Sequence, residues 1–479
     1  MQQTLKSNLV AGDLNQSRTV NDIHSKLNRT FMRNVLLPDS LEACTHAISY
    51  EESVIAAGGF HAMGGQQFCE NRTLVRTDKM NRVLSLDRST GIIEVESGIQ
   101  WPAISDYLLD PRNRAEHFAI RQKQTGADNF SIGGSLSANI HGRGLNLRPF
   151  IDDIESFTLV NPSGEIQNCS RSENADLFAL AIGGYGLFGF VYSVKLRLDV
   201  RRTLRRDVAI VHLEDLIHSI DNRVSAGALY GDFQFCTDEK SDDFLARGVF
   251  ATYTPVDRIE RHRQSSAHLE LGASNWERLL WLAHHDKAAA YREYCQFYLA
   301  TSGQLYDSER HQFSVYLENY HAQLDAHLGR DCTSTEMITE VYVPRNRLVS
   351  FMAKTASYFR ESSADLIYGT VRFIQKDTES VLAWASQDWA CIVFNLCVQH
   401  SDVGLKRAAD HFRTLIDLAI EEGGSYYLTY HRFASVQQVE TCYPRFREFL
   451  RAKAIRDPEN KFQSDWYRHY ARLFSGANQ

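Results

Sequence analysis

Apolar positions change their period along this chain, and the change divides it. In the first part the runs are short. An apolar run at 54–57 predicts a buried strand, with further strands over 73–75, 83–86 and 92–96. A helix is predicted from 40 to about 50, with Asp39 or Ser40 as its cap, and another over 101–109. Val194, Leu196, Leu198 and Val200 alternate with Lys195, Arg197 and Asp199, which predicts a strand over 190–200 after a helix over 174–181. Beyond about residue 205 glycines thin out. Amphipathic stretches at 275–298 and 316–328 read as helices, interleaved with strand-like runs at 339–343, 366–374 and 391–398. That mixture predicts an α+β unit built on an antiparallel sheet. Gly423-Gly424 breaks the pattern, and the stretch after it is aromatic and basic. Residues 1–25 read as a loose lead-in without the apolar core of a secretory signal. No run approaches the roughly 18 apolar residues that a membrane span needs.

Composition narrows the function classes. With 479 residues, 43% of them hydrophobic, two or three globular units are expected, each able to bury its own core. The net charge of −7 gives no general attraction to nucleic acid, which argues against that partner. The nine cysteines include no Cys-x-x-Cys pair. They read as reduced cytoplasmic thiols, with no metal site expected. The acidic pairs Glu51-Glu52 and Asp152-Asp153 read as solvated or capping groups.

The chemistry concentrates in three glycine-rich runs. The strand at 54–57 ends in Gly58-Gly59-Phe60-His61-Ala62-Met63-Gly64-Gly65-Gln66, where backbone N–H groups can approach a diphosphate. The second run, over 125–144, combines Thr125, Gly126, Ser131, Ile132, Gly133, Gly134, Ser137 and Asn139 with His141, Gly142 and Arg143. Its small residues let backbone lie against a large planar or phosphorylated ligand, and Arg143 can neutralise an anion. The third run places glycines at 184, 186 and 189 in the dinucleotide spacing G-x-G-x-x-G. There the helix precedes the glycines and the strand follows, the reverse of what a Rossmann site requires.

Together these runs resemble the FAD domain of the vanillyl-alcohol oxidase / p-cresol methylhydroxylase superfamily. Val95-Glu96-Ser97-Gly98-Ile99-Gln100-Trp101 and Asp153-Ile154-Glu155-Ser156-Phe157-Thr158-Leu159-Val160 lie between them in the family's order, and the likeness covers about residues 35–200. Tyr443-Pro444-Arg445-Phe446, Asp457-Pro458 and Phe462-Gln463-Ser464-Asp465 resemble the C-terminus of the aldonolactone oxidase / decaprenylphosphoryl-ribose oxidase branch. The resemblance implies a two-part FAD-binding domain, 1–205 plus 425–479, around a substrate or cap domain over 206–424. It implies FAD held by Gly58 to Gln66 and by Thr125, Gly126, Ser131, Ile132, Gly133, Gly134, Ser137, Asn139, His141, Gly142, Gly189 and Val191. His61 falls where some members attach FAD covalently. The branch's active-site lysine falls at or near Tyr430, so Tyr430, His431 or His141 is the expected proton acceptor. Arg143, Tyr368, Arg372, Asn395 and Tyr430 are the expected substrate contacts. Alternation puts Tyr368, Thr370 and Arg372 on one strand face.

The activity this implies is two-electron oxidation of a CH–OH or similarly activated C–H of a small polar or aromatic substrate, with oxygen or another acceptor reoxidising the flavin. Reduction of a C=C bond and oxidative cyclisation fit the same superfamily. A flavin-free ligand-binding or scaffold protein is the alternative from another class.

Overall fold

The computed structural model describes residues 18–257, 268–317 and 319–476, so most of the expected lead-in lies outside the described residues. A parallel sheet of Asn34–Leu36, Thr73–Arg76 and Val54–Ala57 carries the first glycine run at its end. The helix Leu41–Tyr50 begins where Ser40 accepts a hydrogen bond from the Ala43 N–H. Beside this sheet, Ile166–Ser170, Ile154–Val160, Phe190–Arg197, Ile92–Glu96 and Val83–Asp87 form an antiparallel sheet in that order. The third glycine run lies between the helix Ala175–Ala181 and the strand Phe190–Arg197, so its order is indeed reversed from a Rossmann turn. Gly189 is there for packing, since a β-carbon on it would stand 2.6 Å from the Val160 carbonyl oxygen.

The middle of the chain builds one large antiparallel sheet. Its order is Leu305–Asp307, Thr203–His212, Arg247–Val256, Tyr230–Phe235, Leu366–Ile374, Trp389–Gln399, Ser334–Pro344 and Ser425–Tyr426. Alternation gives this sheet two different faces. Phe394 points to the helix Leu348–Ser362, where it meets the rings of Phe351 and Phe359. Its neighbours Val393 and Asn395 point the other way, into a cavity.

Two expected helices differ from their prediction. The stretch 275–298 is two helices, Ala273–His285 and Lys287–Ala300, because Asp286 leaves helical geometry and caps the second through the Ala289 N–H. Over 316–328 the helix is only His321–His327.

After Tyr426 the chain turns back to the first sheets. The Val54 N–H donates to the Lys461 carbonyl oxygen, the Gln463 N–H to that of Val54, and the Asp465 N–H to that of Phe68. Trp466 stacks on Tyr185 with centroids 4.7 Å apart. The C-terminal segment therefore packs on the sheet that carries the first glycine run, and its apolar rings hold it there. Among the described residues no helix is long and apolar enough to cross a membrane.

Candidate active site

The first glycine turn meets the second run at close range. A β-carbon on Gly58 would stand 2.0 Å from Ser131 Oγ, and one on Gly59 would stand 2.5 Å from the Asn129 carbonyl oxygen. Only glycine permits that approach. Gln66 ties the turn to the returning chain. Its Nε2 donates to the carbonyl oxygens of Leu428 at 3.2 Å and Thr429 at 2.8 Å.

A cleft opens on this contact. Its larger part, about 1120 Å³, runs between the glycine turns and the open face of the large sheet. A smaller part of about 400 Å³ lies beside Arg76, Thr77, Gly98 and Gln100. Both parts are lined by Gly58, Gly59, Phe60 and His61. The combined space exceeds the roughly 300–1,000 Å³ of an ordinary small-ligand pocket, enough for a dinucleotide-sized ligand and a second molecule.

Of the residues expected to hold a cofactor, Gly58, Gly59, Phe60, His61, Ala62, Met63, Thr125, Gly126, Ser131 and Gly134 line the cleft. The others stand behind its wall. Gly64 donates its N–H to Gln66 Oε1, and the Gly65 carbonyl accepts from the Trp466 N–H. Ile132 is fully buried in the core, and Gly133 accepts from Ser137 Oγ. Asn139 adopts φ 49°, donates to Asp377 and accepts from the Ile151 N–H, so it fixes the loop rather than reaching a ligand. Gly142 packs on the Lys123 carbonyl, while Gly189 and Val191 belong to the start of the strand beside Leu159 and Val160.

His61 sits where both parts of the cleft meet. Its Nε2 is 3.0 Å from the Asn129 carbonyl oxygen, which can only accept, so Nε2 carries the proton. Burial, with His24 nearby, pulls the ring down to about 3, so it is neutral and its Nδ1 is a lone pair. His24 Nε2 donates to that nitrogen at 2.9 Å.

The opposite wall comes from three neighbouring strands in register. Tyr368 pairs with Asn395 and Asn395 with Ile338; Thr370 pairs with Val393 and Val393 with Glu340. Tyr368, Thr370 and Arg372 all face the cleft, as do Arg143, Asn395 and Tyr430. The hub of this wall is Glu340. Its Oε1 accepts from His141 Nε2 at 2.7 Å, Tyr342 OH at 2.8 Å and Cys391 Sγ at 3.2 Å. Among the described residues its Oε2 accepts only from Tyr430 OH, at 3.3 Å. Burial alone would raise the Glu340 carboxyl, but His141, Tyr342 and Cys391 outweigh it and hold the carboxyl below its usual range. Burial and then Glu340 push the Tyr430 phenol well above its usual value, so it is a donor and not a standing base.

Two expected catalytic residues lie elsewhere. His141 is behind Glu340, with its Nδ1 3.1 Å from the Gly142 carbonyl oxygen, and does not line the cleft. His431 points away from it. There it bonds Thr339 Oγ1 at 3.2 Å and stacks on Phe412 at 4.7 Å. Burial pulls its ring down to about 3. In the turn that follows Tyr427, Tyr430 enters the cleft and His431 enters the core. The donor atoms of His141, Glu340 and Cys391 all lie within 4.8 Å of one another. Burial and Glu340 push the Cys391 thiol well up, which leaves it a hydrogen-bond donor to the carboxylate rather than a thiolate ligand.

The sequence reading missed Glu340, Glu336, His311 and Arg206, all of which line the cleft. A signal for the first two was present: Glu336, Ile338 and Glu340 alternate along Ser334–Pro344, placing two acids on one face of the strand.

Residues 35–170 match the model of an FAD binding domain. The mitochondrial L-galactono-1,4-lactone dehydrogenase of Arabidopsis thaliana is 29% identical over 144 residues, 30% of this chain and 22% of that protein. Cytokinin dehydrogenase 3 of Arabidopsis thaliana is 24% identical over 188 residues, 36% of this chain and 34% of that protein. The L-gulonolactone oxidase of Mus musculus is 26% identical over 184 residues, 38% of this chain and 40% of that protein. The chain thus spans less than half the length of each of these relatives.

Proposed function

We propose that residues 35–170, which match the model of an FAD binding domain, form one of the vanillyl-alcohol oxidase / p-cresol methylhydroxylase type, and that the chain is an FAD-dependent oxidase or dehydrogenase. In this reading it oxidises a CH–OH or similarly activated C–H of a small molecule. The FAD-binding part is completed by the C-terminal segment, and the large sheet is the cap over the substrate. The observation that carries the reading is the opposition of two walls. A glycine cradle that a single β-carbon would fill faces a carboxylate and a phenol across one cleft.

The residues present fit the cofactor. Gly58 to Met63, Thr125, Gly126, Ser131 and Gly134 would hold it. When bound, FAD supplies the two-electron acceptor. The protein supplies position and proton handling. Tyr430 hydrogen-bonds the substrate hydroxyl. Its own proton is already directed at Glu340 Oε2, so the hydroxyl proton passes through the phenol to that carboxylate. His141 and Tyr342, on the other oxygen, stabilise the charge of Glu340 before the transfer and orient the group.

His61 is the covalent attachment point in this reading, because among the described residues its Nδ1 lone pair is engaged only by His24. An absorbance spectrum of the purified chain tests the whole reading. Flavin bands are expected, and a colourless, well-folded protein would instead support a flavin-free binding protein. After acid precipitation the yellow colour is expected to stay in the wild-type pellet and to pass into the supernatant of a His61→Ala variant. A colourless wild-type pellet from yellow protein would leave FAD bound without a covalent link. Product analysis separates oxidation of an alcohol from reduction of a C=C bond or oxidative cyclisation.

A further inference from the structure

We infer that one end of the larger cavity is built for an oxyanion: the substrate carries a carboxylate or phosphate ester, received by Arg143, Arg372 and Arg206 with His311 as a neutral partner. This deepens the proposed oxidase or dehydrogenase reading and rests on it for the word substrate.

Arg372, 6% exposed, donates through one amine to Thr125 Oγ1 at 2.5 Å, and its Nε has no partner. Arg143 is 3.9 Å from Asp232 Oδ1, beyond hydrogen-bond reach, and both Arg143 Nε and Asp232 Oδ2 are left unpartnered. Arg206 reaches hydroxyls: Tyr253 OH at 2.7 and 3.0 Å and Thr301 Oγ1 at 3.0 Å. Among the described residues neither Arg206 nor Arg372 has a carboxylate partner. His311, 3% exposed, is held between the rings of Tyr230 at 4.5 Å and Tyr253 at 4.3 Å, with neither ring nitrogen hydrogen-bonded. The three arginines and His311 line the same cavity.

A charged group taken out of water is costly unless it is paired, and an unpaired buried donor costs again. Among the described residues the one carboxylate at ion-pair distance from these three guanidinium groups is Asp232, 3.9 Å from Arg143, so their donors are left underused. The other acids on this wall keep their own charge, but among the described residues their hydrogen bonds come from other groups than these guanidinium donors. Glu340 is bound by His141, Tyr342 and Cys391, and Glu336 by His284, Tyr320 and Asn395. Burial and then the neighbouring Arg143, Arg206 and Lys123 push His311 well below its ordinary value. It therefore offers one N–H to an acceptor rather than a further full charge. An oxyanion completes this set, since it accepts from the free Nε atoms of Arg143 and Arg372 and from the His311 ring. Guanidinium forks match carboxylate and phosphate oxygens alike, and a charged acceptor bonds them more strongly than a neutral hydroxyl does.

The test uses three probes that share a ring: benzoate, phenyl phosphate and benzyl alcohol. Calorimetry on the full purified chain measures binding whether or not flavin is present, and the absorbance spectrum is recorded on the same sample. At least one of the two anions is expected to bind about tenfold or more tightly than benzyl alcohol, and the tighter one names the oxyanion. Arg143→Gln and Arg372→Gln should each erase that margin, with the affinity for benzyl alcohol unchanged and the melting midpoint not lowered. If either variant fails to fold, the other carries the test, with His311→Asn as a third. Benzyl alcohol binding as tightly as both anions, no binding of either anion, or folded variants with wild-type anion affinity would each overturn the inference. A colourless protein that prefers anions would remove the flavin reading and keep the oxyanion site. A yellow protein without that preference would do the reverse.

Discussion

Replacing Glu340 by Gln is expected to lower turnover by about 10²- to 10⁴-fold while the protein keeps its flavin. The amide preserves the size of the side chain but cannot accept the substrate proton, and it removes the charge that His141 and Tyr342 are arranged to stabilise. The glycine turn and Ser131 lie on the opposite wall, so cofactor content should not change. The pH profile gives an independent readout. The folded Glu340 carboxyl lies below its ordinary value, so it stays ionised as pH falls through the usual carboxylate range and is lost only as pH passes its depressed value. Wild-type kcat/KM should therefore hold through that range and decline only at lower pH, and the variant should lack this acid limb. Tyr430→Phe should lose less, because Glu340 Oε2 remains open to the cleft. A Glu340→Gln variant that turns over at the wild-type rate would remove Glu340 as proton acceptor, and a Tyr430→Phe variant with the greater loss would transfer the role to the phenol.

Glu340 also shows where sequence reading reached and where it stopped. The glycine runs were legible because backbone approach has a local cause: Gly58 and Gly59 are required by what a β-carbon would strike. The inward face of Leu366–Ile374 was legible for a similar reason, since strand alternation is a property of the segment itself and puts Tyr368, Thr370 and Arg372 together. The same alternation marks Glu336 and Glu340. What it does not contain is the partner on each side, because the register joining Glu340 to Val393 and His141 spans distant parts of the chain. His311 had no local signal at all. It lies in the short 3-10 turn Ser308–Gln312 and enters the cleft only because neighbouring tyrosines hold its ring. The opposite error occurred at His431, where a histidine adjacent to a site tyrosine faces the core. The pair sits in a turn, where the local backbone path and not strand alternation decides which side each neighbour takes.

The largest loss of stability is expected from Lys453→Met, which should destabilise the fold by about 3–5 kcal/mol. Lys453 and Asp457 form an ion pair on the helix Phe446–Arg456 and its cap, with side chains 0% and 1% exposed. Asp457 also accepts from the Lys461 and Phe462 N–H groups, both at 2.8 Å, and so bends the chain into the segment that bonds to Val54. Methionine fills the volume of the lysine stem but leaves a carboxylate buried with two backbone donors and no counter-charge. Burial lowers the Lys453 amine and Asp457 opposes that, so the pair itself adds little net stability; the cost comes from orphaning one member. A Lys453→Met/Asp457→Asn double variant should therefore recover part of the loss, because the amide can accept at least one of the two backbone bonds without a buried charge. Urea denaturation followed by tryptophan fluorescence measures both variants. Because this segment carries Trp466 and reaches Gly65 of the first glycine turn, release of flavin should accompany the unfolding transition in the single variant. A single variant within about 1 kcal/mol of wild type, or a double variant less stable than the single one, would show that the pair does not clamp the C-terminal segment to the sheet beneath it.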